Sequence, residues 1–183
     1  MKRLALFCGA LLLFAGVASA QDAPKAEVFG GYSFLHVTND GGSANFNGGT
    51  GSLAYNLTPW LGVVGDVGGY HWSQSSTDES ANAVTYLFGP KISYRRGPIT
   101  PFVQVLFGGA HLSSSETGCG SSCVTLSQNA FAMTFGGGVD WNATPHIGIR
   151  VVQAEYLMTR FNDVTGNNQQ NNARISTGVV FRW

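Results

Sequence analysis

Hydrophobic and polar residues alternate strictly along the last stretch of the chain, which ends at residue 183. Alternate positions of a β-strand point to opposite faces, so the pattern defines two faces. One face holds Ile175, Thr177, Val179, Phe181 and Trp183, and the other holds Arg174, Ser176, Gly178, Val180 and Arg182. An apolar face that ends in an aromatic residue, opposite a face with two arginines, predicts a wall between lipid and a polar interior.

The same alternation divides the chain into eight predicted strands, which are separated in turn by long polar segments and by short turns. Each predicted strand is long enough to cross a bilayer at a tilt. The strands are Glu27–Val37, Gly48–Leu57, Trp60–Trp72, Asn82–Tyr94, Thr100–Leu112, Gln128–Trp141, His146–Arg160 and Ala173–Trp183. The long polar segments are Thr38–Asn47, Ser73–Ala81, Ser113–Ser127 and Phe161–Asn172.

These connections predict an all-β fold, an eight-stranded antiparallel up-and-down transmembrane β-barrel. Outer-membrane barrels have short turns at one rim and longer loops at the other. Closure removes the sheet edges whose backbone groups hydrocarbon cannot satisfy. A soluble barrel of the lipocalin type is the alternative, and in that fold the apolar faces would point inward.

The N-terminus has the three parts of a secretory signal peptide. Lys2 and Arg3 precede a short apolar run, and Ala18-Ser19-Ala20 is a cleavage site of the A-x-A type. The apolar run is shorter than the roughly 20 residues that a spanning helix needs. We therefore expect residues 1–20 to be a cleaved signal peptide, residues 21–25 a short tether and residues 26–183 a single barrel domain.

Charge is balanced along the chain, which has 10 Lys+Arg and 10 Asp+Glu. Removal of Lys2 and Arg3 with the signal peptide leaves 8 basic against 10 acidic residues, a net charge of −2. This balance gives no electrostatic basis for binding nucleic acid. The 25 glycines and 12 phenylalanines are typical of strands rich in glycine and aromatic residues. No motif predicts a cofactor.

Two cysteines remain after the expected cleavage, Cys119 and Cys123, and both lie in a polar segment. In an exported protein, a pair this close in sequence predicts a disulfide that closes a small loop. A metal-binding pair is the alternative. Apart from His111, no further Cys or His is near enough in sequence to complete a ligand set.

Aromatic residues gather where the predicted strands reach the short turns. Aromatic side chains at this level form an interfacial girdle in membrane barrels. The predicted girdle consists of Tyr55, Trp60, Tyr94, Trp141 and Trp183. At the C-terminus, the pattern of Gly178, Phe181 and Trp183 resembles the signal by which outer-membrane barrels are recognised for assembly.

Several stretches resemble the small OmpA-type outer-membrane β-barrel proteins, namely EVFGGYSF at 27–34, FGGGVDW at 135–141, IRVVQAEY at 149–156 and FRW at 181–183. The resemblance implies the cell outer membrane as the location and its lipid and lipopolysaccharide as the surroundings. It also implies the barrel-assembly machinery and periplasmic chaperones as partners during biogenesis. Larger family members carry a C-terminal peptidoglycan-binding domain. This sequence has no such segment, so we do not expect cell-wall anchoring.

If the apolar faces meet lipid, the opposite faces place four acidic and four basic side chains inside the barrel. Buried charges are tolerable when they are paired and hydrogen-bonded, so we expect a linked network of salt bridges. Its predicted members are Glu27, Asp66, Lys91, Asp140, Arg150, Glu155, Arg174 and Arg182. An eight-stranded barrel is just wide enough for its own side chains, which predicts a plugged interior.

The seventh predicted strand contains a conflict, because Arg150 and Glu155 would point to opposite faces of a regular strand. Both can face inward only if the strand contains a bulge, which we predict at Val151-Val152. Gln153 and Glu155 would then point inward and Tyr156 outward. A regular strand would place a charge against lipid, at about 2–4 kcal/mol for an arginine near the midplane.

Three functions are compatible with the sequence. The first is a structural and surface-display barrel that contributes to envelope integrity or to surface interactions through its loops. The second is a narrow channel for ions or small solutes through the charged lumen. The third is a hydrolase that acts on lipid A, because His111 and Ser113 share one face of a strand near the outer leaflet. Glu116 falls in a predicted loop and Glu155 inside the barrel, so the catalytic triad lacks a placed acid.

Overall fold

The computed structural model describes residues 24–39, 42–74, 79–116, 126–163 and 166–183. The strands are β1 Ala26–Asn39, β2 Gly42–Asn56, β3 Leu61–Gln74, β4 Glu79–Ser93, β5 Ile99–Glu116, β6 Leu126–Asn142, β7 Ile147–Asp163 and β8 Gly166–Arg182. Each strand pairs antiparallel with the next, and β8 pairs with β1, so the sheet closes into a barrel. The predicted fold class is confirmed. Within the described ranges, no helix is long and apolar enough to cross a membrane.

The two ends of the barrel differ. We call one end the turn rim, because it carries the three short turns that follow β2, β4 and β6. Residues 26 and 183 also meet there, where the Ala26 N–H donates to the Trp183 carbonyl at 3.0 Å. We call the other end the hairpin rim, because the β1–β2, β3–β4, β5–β6 and β7–β8 hairpins reach their tips there.

Side-chain hydrogen bonds and one glycine shape the three short turns. Thr58 and Thr144 each precede a proline, and each Oγ1 accepts a hydrogen bond from the backbone N–H three residues later, at 2.9 Å from both Leu61 and Ile147. The third turn contains Gly97 with φ of 72°, a left-handed conformation that favours glycine. These local constraints fix how the strands enter and leave each turn.

Two of the polar segments that the sequence predicts as long loops, Thr38–Asn47 and Phe161–Asn172, are mostly strand. Asn39 pairs with Gly42, and Asp163 pairs with Gly166, so the ladders of the first and last hairpins run almost to their tips. The asparagine- and glutamine-rich run at 167–172 belongs to β8. The predicted lengths of these two loops are therefore wrong, because polarity marks where a strand leaves lipid and not where backbone pairing ends. Residues 117–125 of the predicted loop Ser113–Ser127 lie outside the described ranges.

Large apolar side chains cover the outside of the barrel. On β6, Phe131 and Phe135 are 51% and 58% exposed, whereas Ala132 and Thr134 between them are 0% exposed. This arrangement excludes the lipocalin-type alternative, whose apolar faces would line the interior. The aromatic residues of the predicted girdle are all exposed near the turn rim, namely Tyr55, Trp60, Tyr94, Trp141 and Trp183.

The inside of the barrel is divided between charged residues and an apolar cluster. The cluster includes Leu35, Phe46, Leu106 and Leu157, all of them buried. Partly buried side chains extend it toward the hairpin rim, namely Val37, Ala44, Trp72 and Ala83. The interior is thus less polar than the alternation of the last strand predicts, because inner positions near the hairpin rim carry aliphatic and aromatic residues.

Strand β7 contains the bulge that the sequence predicts at Val151-Val152. Val139 of β6 pairs with Val152 and Asp140 with Arg150, so Val151 has no partner on β6. The pairing with β8 shifts at the same point. Extra residues of this kind bend a strand and change which face the following side chains occupy.

The bulge brings both charged residues of β7 to the inner face. Arg150, Gln153 and Glu155 are buried, and Tyr156 is exposed on the outside. The predicted orientation of these four side chains is confirmed. If residues 150–155 paired as a regular strand, Arg150 and Glu155 would lie on opposite faces, and one of them would point toward the apolar surface.

Deletion of Val151 tests whether the bulge serves only to set side-chain orientation. The deletion leaves a regular ladder in which Arg150 still faces Asp140 and every later inner residue keeps its face. We expect this variant to fold, measured by the difference in SDS-gel mobility between unheated and heated samples. Deletion of Gly137 from the regular ladder of β6 is the matched control. This deletion moves the side chains on one side of the deleted position to the opposite face of the strand, so it should abolish the mobility difference. Loss of folding in both variants would contradict the prediction.

Candidate functional site

All eight charged residues that alternation places inside are buried within the barrel. None is more than 5% exposed, and the set comprises Glu27, Asp66, Lys91, Asp140, Arg150, Glu155, Arg174 and Arg182. The structure groups them into two clusters. The turn-rim cluster contains Glu27, Lys91, Arg95, Asp140, Arg150 and Arg182. The central cluster contains Asp66, Glu155 and Arg174.

Glu27 is shared by three basic side chains of the turn-rim cluster. Its Oε2 accepts a hydrogen bond from Lys91 Nζ at 2.7 Å, and its Oε1 accepts one from Arg95 Nη2 at 2.8 Å. Arg182 Nε lies 3.5 Å from the same Oε1. A single carboxylate therefore compensates three positive charges, which come from β4, from the turn after it and from β8.

Asp140 is the second acid of the turn-rim cluster and joins two arginines. Its Oδ1 accepts a hydrogen bond from Arg150 Nε at 2.8 Å, and its Oδ2 accepts one from Arg182 Nη2 at 2.7 Å. With four basic and two acidic members, the cluster carries two positive charges in excess. Loss of either carboxylate would leave the remaining cations without sufficient compensation.

Two inward-facing aromatic rings offset part of this positive excess. The Arg150 guanidinium lies 4.2 Å from the ring centroid of Phe29 and 4.4 Å from that of Phe102. Lys91 Nζ lies 4.6 Å from the Phe102 centroid. The electron-rich ring faces attract these cations, and they do so most strongly away from water.

Arg174 lies between the two carboxylates of the central cluster. Its Nη1 donates to Asp66 Oδ1 at 2.7 Å, and its Nε donates to Glu155 Oε2 at 2.7 Å. The second oxygen of Glu155 accepts hydrogen bonds from Gln104 at 2.8 Å and Thr134 at 3.2 Å. Neutral donors thus satisfy the carboxylate oxygens that the guanidinium does not reach.

Small residues on the inner face of β6 provide the space for this packing. A Cβ atom at Gly136 would lie 2.7 Å from Glu155 Cγ, and one at Gly138 would lie 2.9 Å from Phe102 Cζ. Both distances are shorter than van der Waals contact allows. The glycines therefore permit the side chains of β5 and β7 to cross in front of β6.

Side chains fill the barrel across its middle. Arg174, Leu106 and Thr134 are 0% exposed although they project into the lumen from three different strands. Side chains that line a water-filled channel would be accessible to solvent. The filling agrees with the narrow interior of an eight-stranded barrel.

Sequence analysis misses three members of the interior. Arg95 lies beyond the end of β4 in a predicted turn, yet it continues the every-second-residue spacing of Lys91 and therefore points inward. Phe102 and Gln104 occupy inner positions of β5. Since both are uncharged, a search for charged inner residues does not select them, whereas the alternation pattern alone would have placed them.

His111 and Ser113, the candidates for hydrolytic chemistry, lie together on the outside near the hairpin rim. Ser113 Oγ is 3.2 Å from His111 Nε2, and His111 Nδ1 is 2.8 Å from Asn129 Oδ1. An amide thus occupies the place that a catalytic triad gives to an acid. Glu155 is buried inside and paired with Arg174, and the side chain of Glu116 lies outside the described part of the structure.

Other sequence predictions fall on residues that the structure does not describe. The signal peptide at 1–20 and the pair Cys119 and Cys123 lie outside the described ranges, so cleavage and the disulfide remain predictions. In the C-terminal pattern, Phe181 and Trp183 point outward and Gly178 is partly buried, and its role in assembly also remains a prediction. Within the described ranges, no three His, Cys, Asp or Glu side chains form a group that could hold a metal.

A closed barrel of eight strands with an apolar outer surface and an aromatic girdle defines a transmembrane β-barrel. The chain matches the family described as "Outer membrane protein beta-barrel domain" over residues 5–182, and it belongs to that family. Its location is therefore the outer membrane. A comparison with curated proteins gives no match.

Several solved structures share the fold. Ail, the attachment invasion locus protein of Yersinia pestis, is similar at 17% identity over 88% of this chain and 99% of that chain, with a TM-score of 0.66. Neisserial surface protein A is similar at 18% identity over 89% and 100%, with a TM-score of 0.63. OprG from Pseudomonas aeruginosa is similar at 11% identity over 88% and 96%, with a TM-score of 0.54. At these identities the likeness shows the fold alone.

Substitution of Glu27 by Gln tests the charge balance of the turn-rim cluster. The variant leaves Lys91, Arg95 and Arg182 without their shared carboxylate, so we expect the free energy of unfolding to fall by about 3–5 kcal/mol. Urea unfolding in phospholipid vesicles, followed by tryptophan fluorescence, measures this change. Arg95→Gln is the matched control and should cost less than about 2 kcal/mol, because it removes one member of the cationic excess. Equal losses in the two variants would contradict the assignment.

Proposed function

We propose that the protein is a structural barrel of the outer membrane, with a paired interior that blocks passage and outer hairpins that face the cell surface. The observation that carries this proposal is the continuous filling of the lumen by the central cluster and the apolar cluster. Arg174 is held by two carboxylates and is inaccessible to solvent. A barrel closed in this way contributes to envelope integrity without forming a leak.

The narrow-channel alternative requires ions to pass two barriers. An ion at the central cluster would have to displace Arg174 from Asp66 or Glu155, and leaving one buried partner unpaired costs about 3–5 kcal/mol. The apolar cluster around Leu106 and Leu157 then offers no polar partner to replace water around the ion. These contacts support a plug over a conducting path.

The outer hairpins supply the surface part of the proposed function. The strands of the first and last hairpins continue beyond the apolar surface as paired, polar ladders, which present side chains on a rigid frame. A structure of the similar protein Ail contains the heparin analogue sucrose octasulfate. We propose that surface ligands of the present protein also contact its hairpins.

An enzymatic role for His111 and Ser113 has little support from the geometry. The contact between His111 and Asn129 recurs in two other hairpins, where His36 Nδ1 lies 2.6 Å from Asn45 Oδ1 and His71 Nδ1 lies 2.8 Å from Asn82 Oδ1. A single catalytic centre does not explain a contact that occurs three times. We propose that the barrel is not a hydrolase.

Separate alanine substitutions at His111 and Ser113 test this non-enzymatic assignment. We expect both variants to leave the acyl pattern of lipid A unchanged in cells, as measured by mass spectrometry. A wild-type pattern that lacks an acyl chain retained in both variants would show that the pair is catalytic.

Planar-bilayer recording tests the closed state of the barrel. We expect the refolded protein to show no discrete conductance steps, and Arg150→Ala to be silent as well, since neighbouring side chains still fill the section. Arg96→Ala is the matched control, because this arginine is exposed at the turn rim and lies outside the lumen. Steps in the wild type that change in size or selectivity with Arg150→Ala, but not with Arg96→Ala, would establish a channel and refute the plug.

A further inference from the structure

Three of the four outer hairpins carry the same two short motifs. The first strand of each hairpin contains His-x-Ser or His-x-Thr, at 36–38, 71–73 and 111–113. The second strand contains Ser-x-Asn, at 43–45, 80–82 and 127–129. A motif pair repeated in three consecutive hairpins points to a common role.

The two motifs face each other in register in every case. Each histidine is the direct cross-strand partner of the asparagine, in the pairs His36–Asn45, His71–Asn82 and His111–Asn129. The imidazole Nδ1 lies 2.6 to 2.8 Å from the amide Oδ1. Because the amide oxygen accepts, Nδ1 carries the hydrogen. Nε2 is then the atom that takes up a proton when the ring becomes charged.

Cross-strand neighbours join the three pairs into a row across the outside of β1 to β6. Asn47 of β2 pairs with His71 of β3, which connects the first two hairpins, and Asn82 pairs with Ser113, which connects the second and third. In the fourth hairpin, Arg160 of β7 is exposed and pairs with Phe131 of β6. We call this row, together with Arg160 of β7 and Asn171 of β8, the outer collar. Its members are His36, Asn45, Asn47, His71, Asn82, His111, Asn129, Arg160 and Asn171.

The outer collar lies directly above the apolar surface. Tyr32 and Tyr156 are exposed below it, and their hydroxyls donate to collar asparagines, Tyr32 to Asn47 and Tyr156 to Asn171 at 2.6 Å. Tyrosines at a membrane interface place their rings at the level of the lipid headgroups. Since short turns of outer-membrane barrels face the periplasm, the hairpin rim and its collar meet the outer leaflet.

One part of the collar forms a shallow groove of about 300 Å³ beside His71. Its lining includes Asn47 and Asn82 on either side and Val84 on the side of the apolar surface. Gly69 forms part of its floor, and a Cβ atom added there would meet nothing within 4 Å. The groove has amide walls, an imidazole and an apolar edge. This combination suits a glycolipid headgroup, in which a phosphorylated sugar carries acyl chains.

We infer that the outer collar binds the phosphate groups of outer-leaflet glycolipid, and that this binding strengthens as the pH falls. Histidine is the side chain that can change its charge near neutral pH, and each collar imidazole that is protonated adds a cation to the permanent charge of Arg160. Hydrogen bonds from a charged donor to phosphate are short and strong, and the asparagine amides add neutral donors. Phosphate favours the charged imidazole, so affinity is greatest at low pH and falls as the pH rises.

The described neighbours of the histidines contain no acid that would compete with phosphate. The cross-strand partners on both sides are Asn45 and Ala173 for His36, Asn47 and Asn82 for His71, and Val84 and Asn129 for His111. The other titratable or charged residues near the collar are Tyr32, Tyr86, Tyr156 and Arg160. Along the described strands, Glu79, Glu116 and Asp163 lie at odd offsets from the collar residues Asn82, His111 and Arg160. Asp40 and Asp78 lie outside the described residues.

Titration of the detergent-folded protein with bisphosphorylated lipid A tests this inference and does not depend on whether the barrel conducts. Affinity is measured by tryptophan fluorescence at about pH 5.5 and about pH 7.5, on either side of the imidazole transition. We expect the wild type to bind at least about tenfold more tightly at the lower pH. The variant with His36, His71 and His111 all changed to Gln should lose this dependence. His146→Gln is the matched control, because His146 lies at the turn rim, and it should retain the dependence in full.

Arg160→Gln provides a second, contrasting variant. Because arginine stays charged over the whole range, its removal should weaken binding by a similar factor at both pH values and leave the pH dependence in place. A pH dependence that changes with Arg160 instead of with the three histidines would overturn the assignment.

Three further outcomes would also overturn the inference. The same pH dependence in the triple histidine variant would remove the three histidines as its source, since the phosphates of the ligand lose negative charge below about pH 6 and would weaken binding there. Equal affinity for dephosphorylated lipid A would remove phosphate as the recognised group. Displacement of lipid A by roughly millimolar inorganic phosphate, a weak ligand on the affinity scale, would point to a site for the free anion instead of a lipid headgroup.

Discussion

A charged group that is cut off from water needs an opposite charge and hydrogen-bond partners close by, and this constraint governs the interior of the barrel. Arg174 satisfies this constraint through ion pairs with two carboxylates, and Glu27 satisfies it through ion pairs with three basic side chains. The partners come from strands far apart in sequence, so the pairs tie the wall together across the lumen. Truncation of one partner would leave the other buried and unpaired, which is far more costly than the net value of the pair itself.

The backbone of β6 and β7 is adapted to this requirement. The bulge at Val151 accommodates the odd spacing of Arg150 and Glu155, so both side chains reach the lumen. Gly136 and Gly138 leave the space that Glu155 and Phe102 fill. Each adaptation departs from a regular strand of bulky residues. The departures occur where charged side chains must converge, as expected when tertiary contacts override local strand preferences.

Sequence predicts the wall of this barrel better than its contents. A strand between lipid and lumen must alternate, so the strand faces, the buried charges and the bulge follow from the period of the pattern. The ends of the hairpins do not follow from this pattern, because polar residues pair in strands beyond the membrane as readily as they form loops. Arg95 is missed because it lies in a turn. The outer collar is missed because pairs such as His36 and Asn45 meet only through register, although the repeated motifs are visible in the printed sequence.

The unfolding free energy of an Arg174→Met variant in phospholipid vesicles tests the central role of paired interior charge most directly. Arg174→Met alone should lose about 3–5 kcal/mol, because Asp66 and Glu155 remain buried without their shared cation. Adding Asp66→Asn and Glu155→Gln removes the two orphaned charges and should restore most of that loss. A single variant as stable as the wild type, or a triple variant no better than the single one, would contradict the view that charge pairing governs the interior.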